Sequence, residues 1–215
     1  MTATPHVGRT GVWGASGSGK SAFTKQQIAG MKRLVVFDPL AEYTLMPVIR
    51  DLDAVRAEMR ANWTGFRLAY VPPVGKEPQA LSALSRLMMA AQQPFKEGRS
   101  ARTMTLIVEE MNLSFPVGSG VAKSPGFAEL CSRGRHYGIA LVGLSQRIAE
   151  VDTRFRGNCN VTVAFRQKGP RDQQAAAAEI GCAVADLPKA DLQYLRAAGG
   201  EVDPMKTLKF GKKPT

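Results

Sequence analysis

The sequence predicts an α/β fold whose mostly parallel central sheet is flanked by helices on both faces. Three observations carry that prediction. Short apolar, β-branched runs alternate with helix-like segments along most of the chain. Several of those runs stop abruptly at Pro or at acidic residues, as buried parallel strands do. A glycine-rich segment, Gly14 to Ser21, separates the first apolar run from the first helical one. A length of 215 residues is enough to bury one sizeable core, and one domain is expected over 1–215.

Thr10 to Trp13 reads as the first strand, and Ser21 to Met31 has the composition of the helix that follows it. Arg33 to Asp38 is a β-branched strand stopped by Pro39, which starts a second strand–helix unit. Asp51 to Asn62 reads as a helix, Phe66 to Val71 as a strand stopped by Pro72 and Pro73, and Pro78 to Gln93 as an Ala/Leu/Met-rich helix. Thr103 to Val108 is a fourth strand ending in Glu109 and Glu110, and Leu113 to Pro125, rich in Gly, Ser and Pro, is expected as a surface loop. Phe127 to His136 suits a helix, Ile139 to Leu144 and Val161 to Arg166 suit strands, and Asp172 to Ile180 and Asp191 to Ala198 suit helices. The C-terminal stretch from about residue 199 is a basic tail, in which the alternation around Leu208 and Phe210 predicts a short edge strand.

Composition bounds the class. With 44% hydrophobic and 22% charged residues, the chain is neither disordered nor collagen-like. Its longest apolar runs, such as Ile139 to Leu144, fall far short of the roughly 20 residues that span a bilayer. The first ten residues lack the apolar core of a secretory signal, so a cytosolic protein is expected. Cys131, Cys159 and Cys182 are odd in number and widely spaced, which suits buried thiols rather than a disulfide framework or a metal site. Lys plus Arg number 29 against 18 Asp plus Glu, a formal charge of +11 that favours a polyanionic partner such as nucleic acid.

Gly14-Ala15-Ser16-Gly17-Ser18-Gly19-Lys20-Ser21 fits G-x-x-x-x-G-K-[ST] without a mismatch, the Walker A phosphate loop, in its required place between a strand and a helix. The glycines let backbone N–H groups converge on the phosphates of ATP, and the positive end of the following helix faces them. Lys20 is then expected to reach the β- and γ-phosphates, with the Ser21 hydroxyl on Mg²⁺. Thr105 to Glu110 has the form of a Walker B strand, in which Glu109 joins the Mg²⁺ shell and Glu110 is the general base that orients the attacking water. Gln146 follows another apolar strand, on the edge where ligands sit in parallel sheets, and is a candidate sensor of the γ-phosphate. Arg133, Arg135, Arg147, Arg154 and Arg156 crowd that region; Arg133 and Arg135 rank first as candidates for an arginine reaching into a neighbouring subunit's site.

These motifs resemble the FtsK/HerA superfamily of P-loop ATPases, specifically the small genome-packaging ATPases of membrane-containing icosahedral viruses. The likeness rests on Gly14 to Ser21, on the segment Val35 to Tyr43 with its Asp38-Pro39 and Glu42-Tyr43, on Ile107 to Glu110, and on Arg133 to Gln146. It implies a RecA-like (ASCE) P-loop NTPase core assembled as a homo-oligomeric ring, a hexamer, which passes double-stranded DNA through its centre while hydrolysing ATP between subunits. It also implies capsid vertex or portal partners, and a location in host cytoplasm or at the virion vertex. The charge and the Val117 to Ser124 loop with Lys123 suit contacts to a phosphate backbone without base reading. A competing resemblance is to the filamentous-phage assembly ATPases related to zonula occludens toxin, through Arg135, His136, Gly138 and Gln146, although those usually carry a membrane segment. A nucleotide-dependent binding module is the third alternative, against which the paired Glu109 and Glu110 argue.

Overall fold

The structure, a computed structural model, describes residues 7–209. Its strands are β1 (Arg9–Trp13), β2 (Arg33–Phe37), β3 (Val48–Ile49), β4 (Phe66–Tyr70), β5 (Met104–Val108), β6 (Ile139–Ser145), β7 (Val161–Phe165), β8 (Gln193–Ala198), β9 (Glu201–Val202) and β10 (Lys206–Thr207). They form one sheet in the order β10-β8-β7-β1-β6-β5-β2-β4-β3, with β9 paired to β8. From β7 to β3 every pairing is parallel. The pairings of β8 with β7, β9 and β10 are antiparallel.

The helices are α1 (Lys20–Gln27), α2 (Leu52–Ala61), α3 (Glu77–Ala91), α4 (Gln93–Lys96), α5 (Met111–Ser114), α6 (Gly120–Lys123), α7 (Pro125–Arg133), α8 (Thr153–Arg156) and α9 (Pro170–Ile180). Local chemistry sets several boundaries. The Asp51 carboxylate accepts from Ala54 N at 2.8 Å and caps α2, while Pro occupies the first turn of α3, α7 and α9. In α3, Leu81, Leu84 and Met88 recur at helical spacing and are fully buried.

Alternation along the strands sends side chains to two cores. Val35 and Phe37 join Trp13, Leu106, Val108 and Leu141 on the face covered by α2, α3, α7 and α9. Leu34 and Val36 join Val12, Ile107, Val163 and Phe165 on the opposite face, beneath α1 and Leu208. The expected parallel α/β architecture is therefore present, with the larger core on one side.

Three expectations need correction. Asp191 to Ala198 is not a helix: Gln193–Ala198 is β8, paired antiparallel to β7 from Val161↔Ala198 to Phe165↔Tyr194. Ala-rich composition favours a helix by propensity, but Leu192 at φ 67 breaks the chain before it, and Gly199 and Gly200 at φ 63 and 86 turn it back into β9. The segment Leu113 to Pro125 is not plain loop; it contains the end of α5 and all of α6, and Pro116 bridges Val151. The tail pairs through Lys206–Thr207, with Leu208 buried just past it, whereas Phe210 lies outside the described residues. All three cysteines are free; Cys131 is buried, whereas Cys159 and Cys182 are only half-buried. Among the described residues, no helix is long and apolar enough to cross a membrane.

Candidate active site

The C-terminal edge of the parallel strands gathers the polar residues, as open parallel sheets do. β1 delivers Gly14 there, and the loop is fastened by Gly14 N to Ser145 O at 3.3 Å and Ala15 N to Arg166 O at 2.8 Å. Gly19, at φ 112, opens α1 in a conformation that L side chains rarely adopt. The first bond of the helix runs from Phe23 N to Gly19 O, so the N–H groups of the preceding turn are those a helix leaves without an internal acceptor. Ser16 and Gly17 are exposed at the tip and Ser18 is buried. This is a cradle for anionic oxygens.

Lys20 is only 6% exposed and its ammonium donates to Ala15 O at 3.2 Å, which curls the side chain over the loop. Burial pulls its pKa down, against the attraction of Glu110, Glu109 and Glu42. Glu109 and Glu110 follow β5. Glu109 N is anchored to Phe37 O at 3.0 Å, and its carboxylate accepts a 2.6 Å hydrogen bond from the Tyr43 hydroxyl. Burial pushes its pKa up to about 7, with Glu110 and Glu42 adding to the rise and Tyr43 and Lys20 opposing it. Tyr43 is itself held by its backbone, since its N–H donates to Asp38 Oδ2 at 2.9 Å.

Glu110 adopts φ 41 and ψ 56, a left-handed conformation that costs a non-glycine residue on the order of 1–3 kcal/mol. Its side chain is met by Gln146: Nε2 donates to Oε1 at 2.6 Å and the backbone N–H to Oε2 at 3.4 Å. Ser145 steadies this corner, donating to Asn112 Oδ1 at 2.8 Å and accepting from Arg147 N at 3.0 Å. Arg147 is in turn clamped by Asp172 and Glu150, each at 2.9 Å.

Lys20, Glu109, Glu110 and Gln146 are thus brought together. The remaining arginines are not. Arg133 and Arg135 precede β6 and lie at the opposite edge of the sheet, roughly 20 Å away given the rise along a seven-residue strand. Arg133 pairs with Glu129 at 3.2 Å, and Arg135 lines a hollow with Arg9, Asn158 and Asn160. Arg156 is paired with Glu179 at 2.9 Å, and the Arg154 carbonyl accepts from Arg9. Lys123 ends α6 and is exposed. Asp38, Tyr43, Ser145 and Leu192, whose N–H donates to Ser18 O at 2.9 Å, belong to the site without having been assigned roles from sequence. For Tyr43 a signal exists, since Asp38-Pro39 and Glu42-Tyr43 stand directly after a strand that ends at this edge.

The donor set also suits magnesium: a serine hydroxyl at Ser21 and the Glu109 carboxylate are hard oxygen ligands, the type that Mg²⁺ takes alongside substrate phosphates.

The model of the family described as Zonular occludens toxin (Zot) matches residues 41–177. The chain belongs to the Zot family. The matched span includes Tyr43, Glu109, Glu110 and Gln146. Protein P9 of Pseudoalteromonas phage PM2 is 25% identical over 207 residues, covering 93% of this chain and 89% of that protein. Among solved structures, the genome packaging NTPase B204 of Sulfolobus turreted icosahedral virus 2, in complex with ATP-gammaS, superposes with a TM-score of 0.71 at 16% identity, over 96% of this chain and 100% of that one. VirB4 of Thermoanaerobacter pseudethanolicus gives a TM-score of 0.63 at 10% identity, over 95% and 90%. These likenesses establish the P-loop ATPase fold expected from the motifs.

Proposed function

We propose that this chain is an ATPase that drives double-stranded DNA in viral genome packaging, hydrolysing ATP between subunits of a hexameric ring. The observation that carries the reading is the meeting of Lys20, Glu109, Glu110 and Gln146 beside the phosphate loop at one sheet edge. Lys20 contacts the β- and γ-phosphates, Glu110 holds the attacking water and accepts its proton, and Gln146 sets the position of Glu110. Ser21 and Glu109 would hold Mg²⁺, which when bound neutralises charge developing on the phosphates. Arg133 and Arg135, on the far edge of their own subunit, serve only a neighbouring one.

The DNA part of the reading is supported by the +11 charge and by the likeness to a genome packaging NTPase and to a phage protein. The same likeness supports capsid vertex or portal partners, and a place in host cytoplasm or at the virion vertex. The family match supports a second reading, an ATPase of filamentous-phage assembly that does not act on packaged DNA.

The test is the steady-state ATPase rate at low salt, with and without long double-stranded DNA, against Lys20→Ala as background. DNA stimulation that is absent from the variant and fades steeply with salt is the expected result. Turnover indifferent to DNA favours the assembly reading, and no turnover with or without DNA removes the motor.

A further inference from the structure

A nucleotide seated on Gly14 to Ser21 has a direction. β1 stands between β6 and β7, and the groups suited to the γ-phosphate lie on one side of it: Gln146 after β6, and Glu109 and Glu110 after β5. The base therefore extends to the other side, past the end of β7. A hollow of about 250 Å³ lies there, lined by Arg166, Gln167, Val184, Leu187 and Pro188 among others. Both of its walls are tied to the phosphate loop. Arg166 O accepts from Ala15 N at 2.8 Å, and the segment leaving Pro188 returns to the loop through Leu192 N and Ser18 O at 2.9 Å.

We propose that this hollow receives the nucleobase and that Gln167 selects adenine over guanine. The proposal rests on the ATP-site reading above and names the base subsite of that same site. Gln167 is 5% exposed, and its Nε2 donates to Phe165 O at 3.0 Å, which fixes the orientation of the amide. Its Oε1 is left buried with no hydrogen-bond partner. A buried acceptor without a donor is costly unless a ligand supplies one. Adenine carries an exocyclic amine where guanine carries a carbonyl oxygen, so the first satisfies Oε1 and the second opposes it. Val184, Leu187 and Pro188 offer apolar surface to the flat faces of the ring, the usual composition of a cofactor pocket with a few fixed polar groups.

The experiment is calorimetric titration, in the presence of Mg²⁺, of ATP, GTP and inorganic tripolyphosphate into the wild-type protein, Gln167→Met and Val184→Trp. Val184 is 43% exposed, so the larger ring fills the hollow without entering the core. Wild type should bind ATP at least about tenfold more tightly than GTP. Gln167→Met should bring the two within about twofold, and Val184→Trp should weaken both by about tenfold or more, with tripolyphosphate affinity unchanged in each variant. An ATP-to-GTP ratio unmoved by Gln167→Met, or nucleotide affinity unmoved by Val184→Trp, overturns the base site. Wild type that binds tripolyphosphate as tightly as ATP overturns the base site alone, whereas wild type that binds neither removes the phosphate-loop reading and this one with it.

Discussion

Gln146 Nε2 donates to Glu110 Oε1 at 2.6 Å, which joins the ends of two adjacent parallel strands through their side chains. The carboxylate proposed to hold water is thus already engaged, and its backbone sits in a strained left-handed conformation. A water bound between Glu110 and the γ-phosphate has to share this acceptor with the amide of Gln146.

Glu110→Gln should bind nucleotide with wild-type affinity and lose about 10²–10⁴ in kcat, the range that general-base removal covers. Single-turnover hydrolysis after equilibrium binding checks it. Hydrolysis at the wild-type rate would remove Glu110 from the chemistry.

Lys20→Ala should weaken binding of the triphosphate far more than that of the monophosphate, because the lost contact is to the β- and γ-phosphates. Competition between ATP and AMP for a fluorescent nucleotide measures this. Equal weakening of both would place Lys20 elsewhere.

Tyr43→Phe keeps the buried ring and deletes the hydroxyl that donates to Glu109 at 2.6 Å. Groups that orient a metal's ligands commonly account for 10- to 100-fold in metal affinity, so the Mg²⁺ concentration for half-maximal rate should rise about tenfold. ATP affinity measured without the metal should stay as it was. A lower rate at unchanged Mg²⁺ dependence would contradict the positioning role.

Glu109 ionises near pH 7 in the folded chain because it is buried, above the 4.5 of an ordinary glutamate. It binds its proton more tightly in the folded state, so this stability is fully present below pH 4.5 and is lost as pH rises through 7. The loss amounts to on the order of 3 kcal/mol in the nucleotide-free, metal-free protein. Denaturant midpoints across pH 5 to 8 should fall for the wild type and flatten for Glu109→Gln.

Gly126, on α7, approaches α3 so closely that a Cβ would lie 2.3 Å from Ser82 O. Gly126→Ala should cost about 1–3 kcal/mol through overpacking, lowering Tm by several degrees, with nucleotide affinity retained in the folded fraction. Calorimetric melting tests it.

The legible parts of this fold are those whose pattern and environment agree. Arg33 to Phe37 and Met104 to Val108 are buried on both faces, so continuous apolar runs mark them without reference to anything distant. The phosphate loop is legible because its backbone geometry demands glycine at set spacings, as at Gly19. Residues 193–198 are less so: Ala197 and Ala198 carry helix propensity, and only pairing with β7 overrides it, although Gly199-Gly200 before Glu201-Val202 is a hairpin signal in plain view. At this edge, Glu109, Glu110 and Gln146 are marked in the sequence because strands end just before them. For Tyr43 the sequence marks the place, after a strand that ends at this edge, but not the role, because its hydroxyl meets a carboxylate 66 residues away. Nearness in sequence does not place Arg133 and Arg135 beside Gln146, since the length of β6 lies between them.

The central position of β1 governs when the protein can first become active. Arg9 pairs with Leu141 and Thr10 with Val161, so β1 has no partner until residues far along the chain exist. The phosphate loop also donates to Arg166 O through Ala15 N and accepts from Leu192 N at Ser18 O, and these partners are made later still. At ribosomal speeds of about 5–20 residues per second, Gly14 to Ser21 waits roughly 10–40 seconds before its surroundings are complete. The nucleotide-binding loop is therefore completed only after Leu192 has been made, and pairing between such distant segments is slow to begin. ATP can steady the loop only once these distant partners are in place, and shortening the chain before Leu192 removes the loop's support.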